Sequence, residues 1–190
     1  MSTSIPQIEF SPVEIIPGLD LSSYPKNVKL NEYTHVLNMC EAPNPREFFR
    51  PACRVLNIPL LDIDNIEPHI ELIIRFIDSA LQHPENRVLV HCALGINRSP
   101  SAVIAYLCHK NQIDSAAALR YLKSKKPNVN PSVLFLTQID KYFGRYVEKE
   151  DPLAAFAERL RLRIAGLREE TSRPSDGSGS RSEQGSSKNI

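Results

Sequence analysis

Tryptophan is absent from this 190-residue sequence, glycine occurs only 7 times, and neither sign of charge is in excess, with 23 Lys plus Arg against 22 Asp plus Glu. The balance is local as well as global: residues 1–150 carry 16 basic and 16 acidic side chains, and residues 151–190 carry 7 and 6. A protein that holds nucleic acid by neutralising its phosphates shows a basic excess, so nucleic acid is disfavoured as a partner. No apolar run approaches the ~18 residues that a bilayer-spanning helix needs. Ser2 stands where N-myristoylation requires glycine. No membrane partner is expected. The four cysteines, Cys40, Cys53, Cys92 and Cys108, follow no apolar N-terminal segment that would send the chain to an oxidising compartment. Reduced thiols and a cytoplasmic location, with the nucleus also open, are the expectation.

What is present suffices for a core. Hydrophobic residues make up 42% of the chain, close to the usual globular share once glycine is added, and ~100–200 residues is the size of one domain. Residues 1–12 are polar and proline-broken, and read as a flexible arm. Strands are predicted in Val13–Leu21, interrupted by Pro17-Gly18, in Thr34–Met39, in Arg54–Leu60, and in the RVLVHC run at 87–92. Ile70, Ile73, Ile74, Ile77 and Leu81 form one stripe of an amphipathic helix with Pro68 near its start. Pro100 to about Lys110 is apolar on nearly every side, as a central helix is. Asp114 is a good N-cap for a helix over Ser115–Lys125, and Asn130-Pro131 offers an N-cap and a first-turn proline for another reaching about Tyr146. The basic cluster Arg120, Lys123, Lys125 and Lys126 reads as the solvated last turn of a helix. Strands alternating with helices give an α/β fold, a single layered domain with a central, mostly parallel sheet flanked by helices, over 13–147. Beyond it, Leu153, Phe156, Leu160, Ile164 and Leu167 mark an amphipathic helical extension over 151–170. Such a helix packs on the domain or contacts a partner. Residues 171–190 are Ser- and Gly-rich and read as a disordered tail.

The informative stretch is HCALGINRSP, residues 91–100, which puts Cys92 at the end of a buried strand and Arg98 at the start of a helix. A Cys-x5-Arg spacing alone is weak evidence. With the adjoining His91, Gly95 and Ser99 required as well, the chance match falls to a few in ~100,000 by composition. A short loop between strand and helix turns successive backbone N–H groups inward, and the helix adds its positive end, so the loop is an anion cradle. Gly95 supplies backbone freedom, and Arg98 adds a planar fork of donors matched to two phosphate oxygens. In such a field a thiol is expected to ionise. An inert buried thiol is the common fate of a lone cysteine, but here every neighbour serves anion binding.

HCALGINRSP resembles the signature of the cysteine-dependent protein tyrosine phosphatase superfamily. The chain over about 13–147 is similar to a small atypical dual-specificity phosphatase, through EIIPGLDL, THVLNM, VLNIPLLDID, RVLVHC, SAVIAYL and KKPNVNPSVLF. The resemblance implies the tyrosine phosphatase-like fold and hydrolysis of phosphotyrosine and phosphoserine/phosphothreonine in phosphoprotein substrates. It also implies that Cys92 attacks phosphorus to give a phosphocysteine. Arg98 and the backbone of Ala93, Leu94, Gly95, Ile96, Asn97 and Arg98 bind the phosphoryl oxygens, Ser99 assists departure of the Cys92 sulfur, and His91 orders the loop and helps keep the thiol ionised. A general acid is implied about thirty residues upstream. Asp62 and Asp64 both qualify; Asp62, directly after the Ile58-Pro59 strand end, is preferred, because Asp64-Asn65 has the character of a turn. No cofactor is implied, and with no cysteine after Cys108 no zinc-binding extension either. Two departures stand out. Asn97 replaces the more usual Ser and is similar to the related RNA 5′-triphosphatases, and Ser132 stands where many members place a loop-supporting Asn. An RNA 5′-triphosphatase-type enzyme and a phospho-binding pseudophosphatase are the alternatives.

Overall fold

Pro17-Gly18 turns the first apolar stretch back on itself. Gly18 takes φ +80, the left-handed value that the third position of a type II turn requires. The result is a hairpin of β1 (Val13–Ile16) and β2 (Leu19–Ser22). The other strands are β3 (His35–Asn38), β4 (Arg54–Asn57) and β5 (Val88–His91). The computed structural model describes residues 10–26 and 29–146, together with residue 161. The helical extension expected over 151–170, apart from that one residue, the tail over 171–190 and most of the arm over 1–12 lie outside the described residues.

The sheet has five strands in the order β1-β2-β5-β3-β4, and every pairing except β1 with β2 is parallel. β5 is central, and all four of its residues are buried. That is why Val88, Leu89 and Val90 run continuously apolar instead of alternating. Val88 and Val90 point into one core with residues of all four helices, while Leu89 points into a second with Leu30, Tyr33, Val36, Phe49 and Cys53. The four helices therefore share one face of the sheet, and the segments around Leu30–Val36 and Phe49–Cys53 cover the other. The helices are α1 (Glu67–Leu81), α2 (Arg98–Asn111), α3 (Ser115–Lys125) and α4 (Val133–Tyr142).

α1 buries the isoleucine stripe at 70, 73, 74 and 77. α3 begins where Asp114 caps it, the carboxylate accepting from Ala117 N at 2.7 Å. The start of α4 departs from the sequence expectation. Its N-cap is Ser132, whose Oγ accepts from Phe135 N at 3.2 Å, and not Asn130. Asn130 N instead donates to Ile96 O at 2.8 Å, which draws residues 130–132 out as an extended strap before the helix can begin. α4 also ends at Tyr142, earlier than expected, because Gly144 takes φ +64 and bonds back to Lys141 O. One buried charge sits away from this region: Asp20 on β2 accepts from Tyr33 Oη and Arg87 Nη2, each at 2.7 Å, the pairing that a buried carboxylate needs.

Because β2, β3, β4 and β5 run parallel, their carboxyl ends open on one edge of the sheet, the usual place for a ligand in such folds. Cys92 follows β5 there, Met39 and Cys40 follow β3, and Ile58–Leu60 follow β4.

Candidate active site

The loop between β5 and α2 closes on the sulfur of Cys92. Sγ is buried and accepts from Gly95 N at 3.2 Å and from Ser99 Oγ at 3.2 Å. Ser99 reaches it from the first turn of α2, and its hydroxyl also lies 3.5 Å from Ser22 O. The loop is stitched to the end of β2, with Tyr24 N donating to Ala93 O at 3.2 Å.

Gly95 is where that contact is tightest. Its φ is +70, and a Cβ there would stand 2.8 Å from the Ser22 carbonyl carbon and oxygen and from Ser23 N. These are backbone atoms of a strand end and cannot move aside cheaply. Gly95→Ala combines a left-handed backbone with overpacking, so we expect a destabilisation of about 2–4 kcal/mol. Melting temperature measured by circular dichroism should drop by roughly 5–15 °C, with aryl phosphatase activity falling alongside. A variant that melts with the wild type would show that the loop does not need this close approach.

His91 is fully buried, and its Nε2 lies 2.9 Å from Asn44 Oδ1. The amide oxygen only accepts, so the ring carries its proton on Nε2. Burial pulls the His91 pKa down to about 4, with the Cys92 backbone opposing it. The ring is therefore neutral at pH 7. Held by Asn44 behind the loop, it brings no positive charge to the sulfur, contrary to the expectation that it helps keep the thiol ionised. Burial pushes Cys108 up to about 12 and, with Cys92 adding to it, Cys40 up to about 11; burial also raises Cys53.

Arg98 lies across the edge of the sheet. Its Nη1 donates to Leu60 O at 3.0 Å and to Met39 O at 3.5 Å, and Nε stands 3.1 Å from Asp62 Oδ1, an ion-pair contact without hydrogen-bond geometry. Asp62 is 60% exposed and is held from a second side by Asn97 Nδ2, which donates to the same Oδ1 at 3.0 Å. The Asn97 oxygen in turn accepts from Ser132 N at 2.7 Å. Asp64 is placed differently: its carboxylate accepts from Leu61 N at 2.7 Å and its own N–H returns to Leu61 O. It is folded into the turn. Gln138 on α4 holds the same segment, its Oε1 accepting from Ile66 N at 3.0 Å and its Nε2 donating to Asp64 O at 3.4 Å.

The structure thus brings together Cys92, Ser99, Arg98, Asn97 and Asp62, with the backbone of the intervening loop. The two sequence departures meet: the Asn97 side chain and the backbone N–H of Ser132 bond to each other, so the strap supports the loop through Asn97. Asn44 and Gln138 were missed, because nothing local in the sequence marks either. Around the opening, Leu61, Ile63, Leu94, Val133 and Leu134 are exposed and uncharged.

Residues 20–145 match the family model described as the catalytic domain of dual specificity phosphatases. The chain belongs to that family. Among its relatives, the dual specificity protein phosphatase MPK-4 of Drosophila melanogaster is 32% identical over 152 residues, covering 78% of this chain and 39% of that protein. Dual specificity protein phosphatase 1 of Arabidopsis thaliana is 33% identical over 115 residues, covering 60% of this chain and 58% of its own length. This phosphatase-family chain therefore spans about two-fifths of the first relative and under two-thirds of the second. The solved structure of a human tyrosine phosphatase-like serine/threonine/tyrosine-interacting protein superposes with a TM-score of 0.61 at 30% identity, covering 70% of this chain and 95% of that one. The fold expected from the sequence is the fold of these relatives.

Proposed function

We propose that the protein is a dual-specificity protein phosphatase that hydrolyses phosphotyrosine and phosphoserine/phosphothreonine monoesters through a phosphocysteine. The observation that carries this reading is the convergence of two donors, Gly95 N and Ser99 Oγ, on the Cys92 sulfur, with Arg98 and Asp62 beside it. Donors aimed at a buried sulfur suit a negatively charged nucleophile. In the first step the sulfur attacks phosphorus, the phosphorus–oxygen bond to the substrate breaks, and the Asp62 carboxyl gives its proton to the departing oxygen. The loop N–H groups from Ala93 to Arg98 and the Arg98 fork stabilise the transferring phosphoryl group. In the second step water attacks the phosphocysteine, Asp62 takes a proton from it, Ser99 donates to the departing sulfur, and phosphate leaves. Arg98 cannot serve both Asp62 and two phosphoryl oxygens with one fork, so the arriving phosphate displaces Asp62 from the guanidinium and frees it for the leaving group.

The uncharged rim supports phosphoprotein substrates over polyanions. Leu61, Ile63, Leu94 and Val133 offer nothing to the extra phosphates of a phosphoinositide or an RNA 5′ end. A side-by-side panel tests this. Phosphotyrosine and phosphothreonine peptides should both be turned over, with kcat/KM for a phosphoinositide and for 5′-triphosphorylated RNA at least about tenfold lower, the scale of one missing charge-assisted contact. Faster turnover of the RNA would reverse the reading in favour of the RNA phosphatase. Four unbridged cysteines suit a reducing compartment, so we place the protein in the cytoplasm with access to the nucleus. Among the described residues no helix is long and apolar enough to cross a membrane.

A further inference from the structure

At the opposite edge of the sheet, where β3 and β4 begin, lies a polar cleft of about 430 Å³. It lies between the amino ends of these strands, the last turn of α1 and the residues that follow α1. Its charged lining is of one sign. Arg50 and Arg54 face it together with the His35 and His83 rings, and among the described residues no carboxylate lines it. Among the described residues neither Arg50 nor Arg54 is ion-paired. The Arg50 Nε is buried without a hydrogen-bond partner among the described residues, which leaves its two terminal nitrogens as the donors a ligand would meet. Glu85, 3.8 Å from His83 Nδ1, is outside the lining. The end of α1 opposes an anion through its carbonyls, of which Ala80 O is paired with His83 N and with Asn86 Nδ2 at 3.0 Å; the two guanidinium charges outweigh the half charge of a helix end.

His35 fits the same picture. Thr34 Oγ accepts from Arg87 N at 3.1 Å, donates to Arg87 O at 3.0 Å and lies 2.8 Å from His35 Nδ1, which engages that ring nitrogen. This leaves Nε2 as the ring nitrogen without a protein partner. Burial, then Arg54 and Arg50, hold the His35 pKa below the ordinary value. A bound dianion would work against the two arginines and raise it.

We propose that this cleft is a second, non-catalytic site for a small phosphate-bearing molecule, with its phosphate on Arg50 and Arg54. Two guanidinium forks match a dianion better than a single carboxylate. The volume exceeds what a bare phosphate fills and falls in the range of small-ligand sites, and Gln82 and Ser79 add uncharged polar groups for the remainder of the ligand. The site is independent of the catalytic reading, since Cys92 lies at the other end of β5.

The test is NMR titration of the wild-type protein and of Arg98→Ala, which lacks the catalytic fork, with inorganic phosphate and with AMP. Saturable shifts are expected at the His35 and His83 rings and at the Arg54 amide in both proteins, together with a raised His35 pKa. AMP should bind at least about tenfold more tightly than phosphate. Binding should weaken at least about tenfold in Arg50→Gln/Arg54→Gln. Shifts reproduced by sodium chloride at matched ionic strength, or undiminished in the double variant, overturn the site; equal affinity for phosphate and AMP overturns the claim of a larger ligand. Aryl phosphatase activity of the double variant should stay within about twofold of wild type, as for distant independent positions. Failure of the site would therefore leave the catalytic reading intact.

Discussion

Cys92→Ser should abolish hydrolysis of an aryl phosphate, lowering turnover by roughly 10⁴-fold or more, the scale on which removal of a nucleophile acts. The substitution keeps the shape of the site. Gly95 N and Ser99 Oγ, both 3.2 Å from the sulfur, can still donate to an oxygen in its place. What is lost is the nucleophile itself, since the groups that touch its position, Gly95 N and Ser99 Oγ, are donors, and the His91 ring is turned to Asn44, so no base stands ready to take a serine proton. Binding should survive, because Arg98 and the loop N–H groups are untouched. Steady-state assays with an aryl phosphate, paired with calorimetric titration of a phosphopeptide, separate the two effects. Residual turnover above about one per cent would sink the covalent mechanism, because no other group at the site can replace the sulfur.

Asp62→Ala should have the second largest effect, and an uneven one. For alkyl phosphates such as phosphothreonine the leaving oxygen needs a proton, and kcat should fall by about 10²–10³, within the usual range for general acid catalysis. For an activated aryl phosphate the leaving group departs as its anion, and the loss should be much smaller. A plot of log kcat against leaving-group pKa, steep for the variant and shallow for the wild type, is the signature. Asp64→Ala should show no such slope, because its carboxylate is occupied with the Leu61 N–H. The assignment is reversed if the slope appears for Asp64→Ala and not for Asp62→Ala.

The elements that were legible in the sequence are those whose causes lie within one turn or one strand. The RVLVHC run reads as a strand buried on both faces because every residue in it is apolar or ends the run, and β5 is the central strand. Asp114 announces α3 because a cap acts three residues away. The start of α4 was misread for the opposite reason: Asn130-Pro131 has the right local chemistry for a helix start, but Asn130 N–H is claimed by Ile96 O across the fold. Cys92, Arg98 and Ser99, proposed to react with the phosphate, were visible as a compact motif, whereas the groups that support them were not. Asn44 reaches His91 across 47 positions, and Gln138 reaches Ile66 across 72. Asn97 was noticed only as a departure, since both its partners, Asp62 and Ser132, lie 35 positions away in opposite directions.

Asn97 also makes the two oxygens of Asp62 unequal. Its own oxygen is fixed on Ser132 N, so its amide nitrogen must face the carboxyl and cannot turn away. That nitrogen, like Arg98 Nε, addresses Oδ1. Once phosphate has displaced Arg98, Asn97 still holds Oδ1 as an acceptor, so in the mechanism proposed above the proton that Asp62 gives would be carried on Oδ2. In that mechanism the bridging oxygen of the substrate would meet the Oδ2 side of the carboxyl.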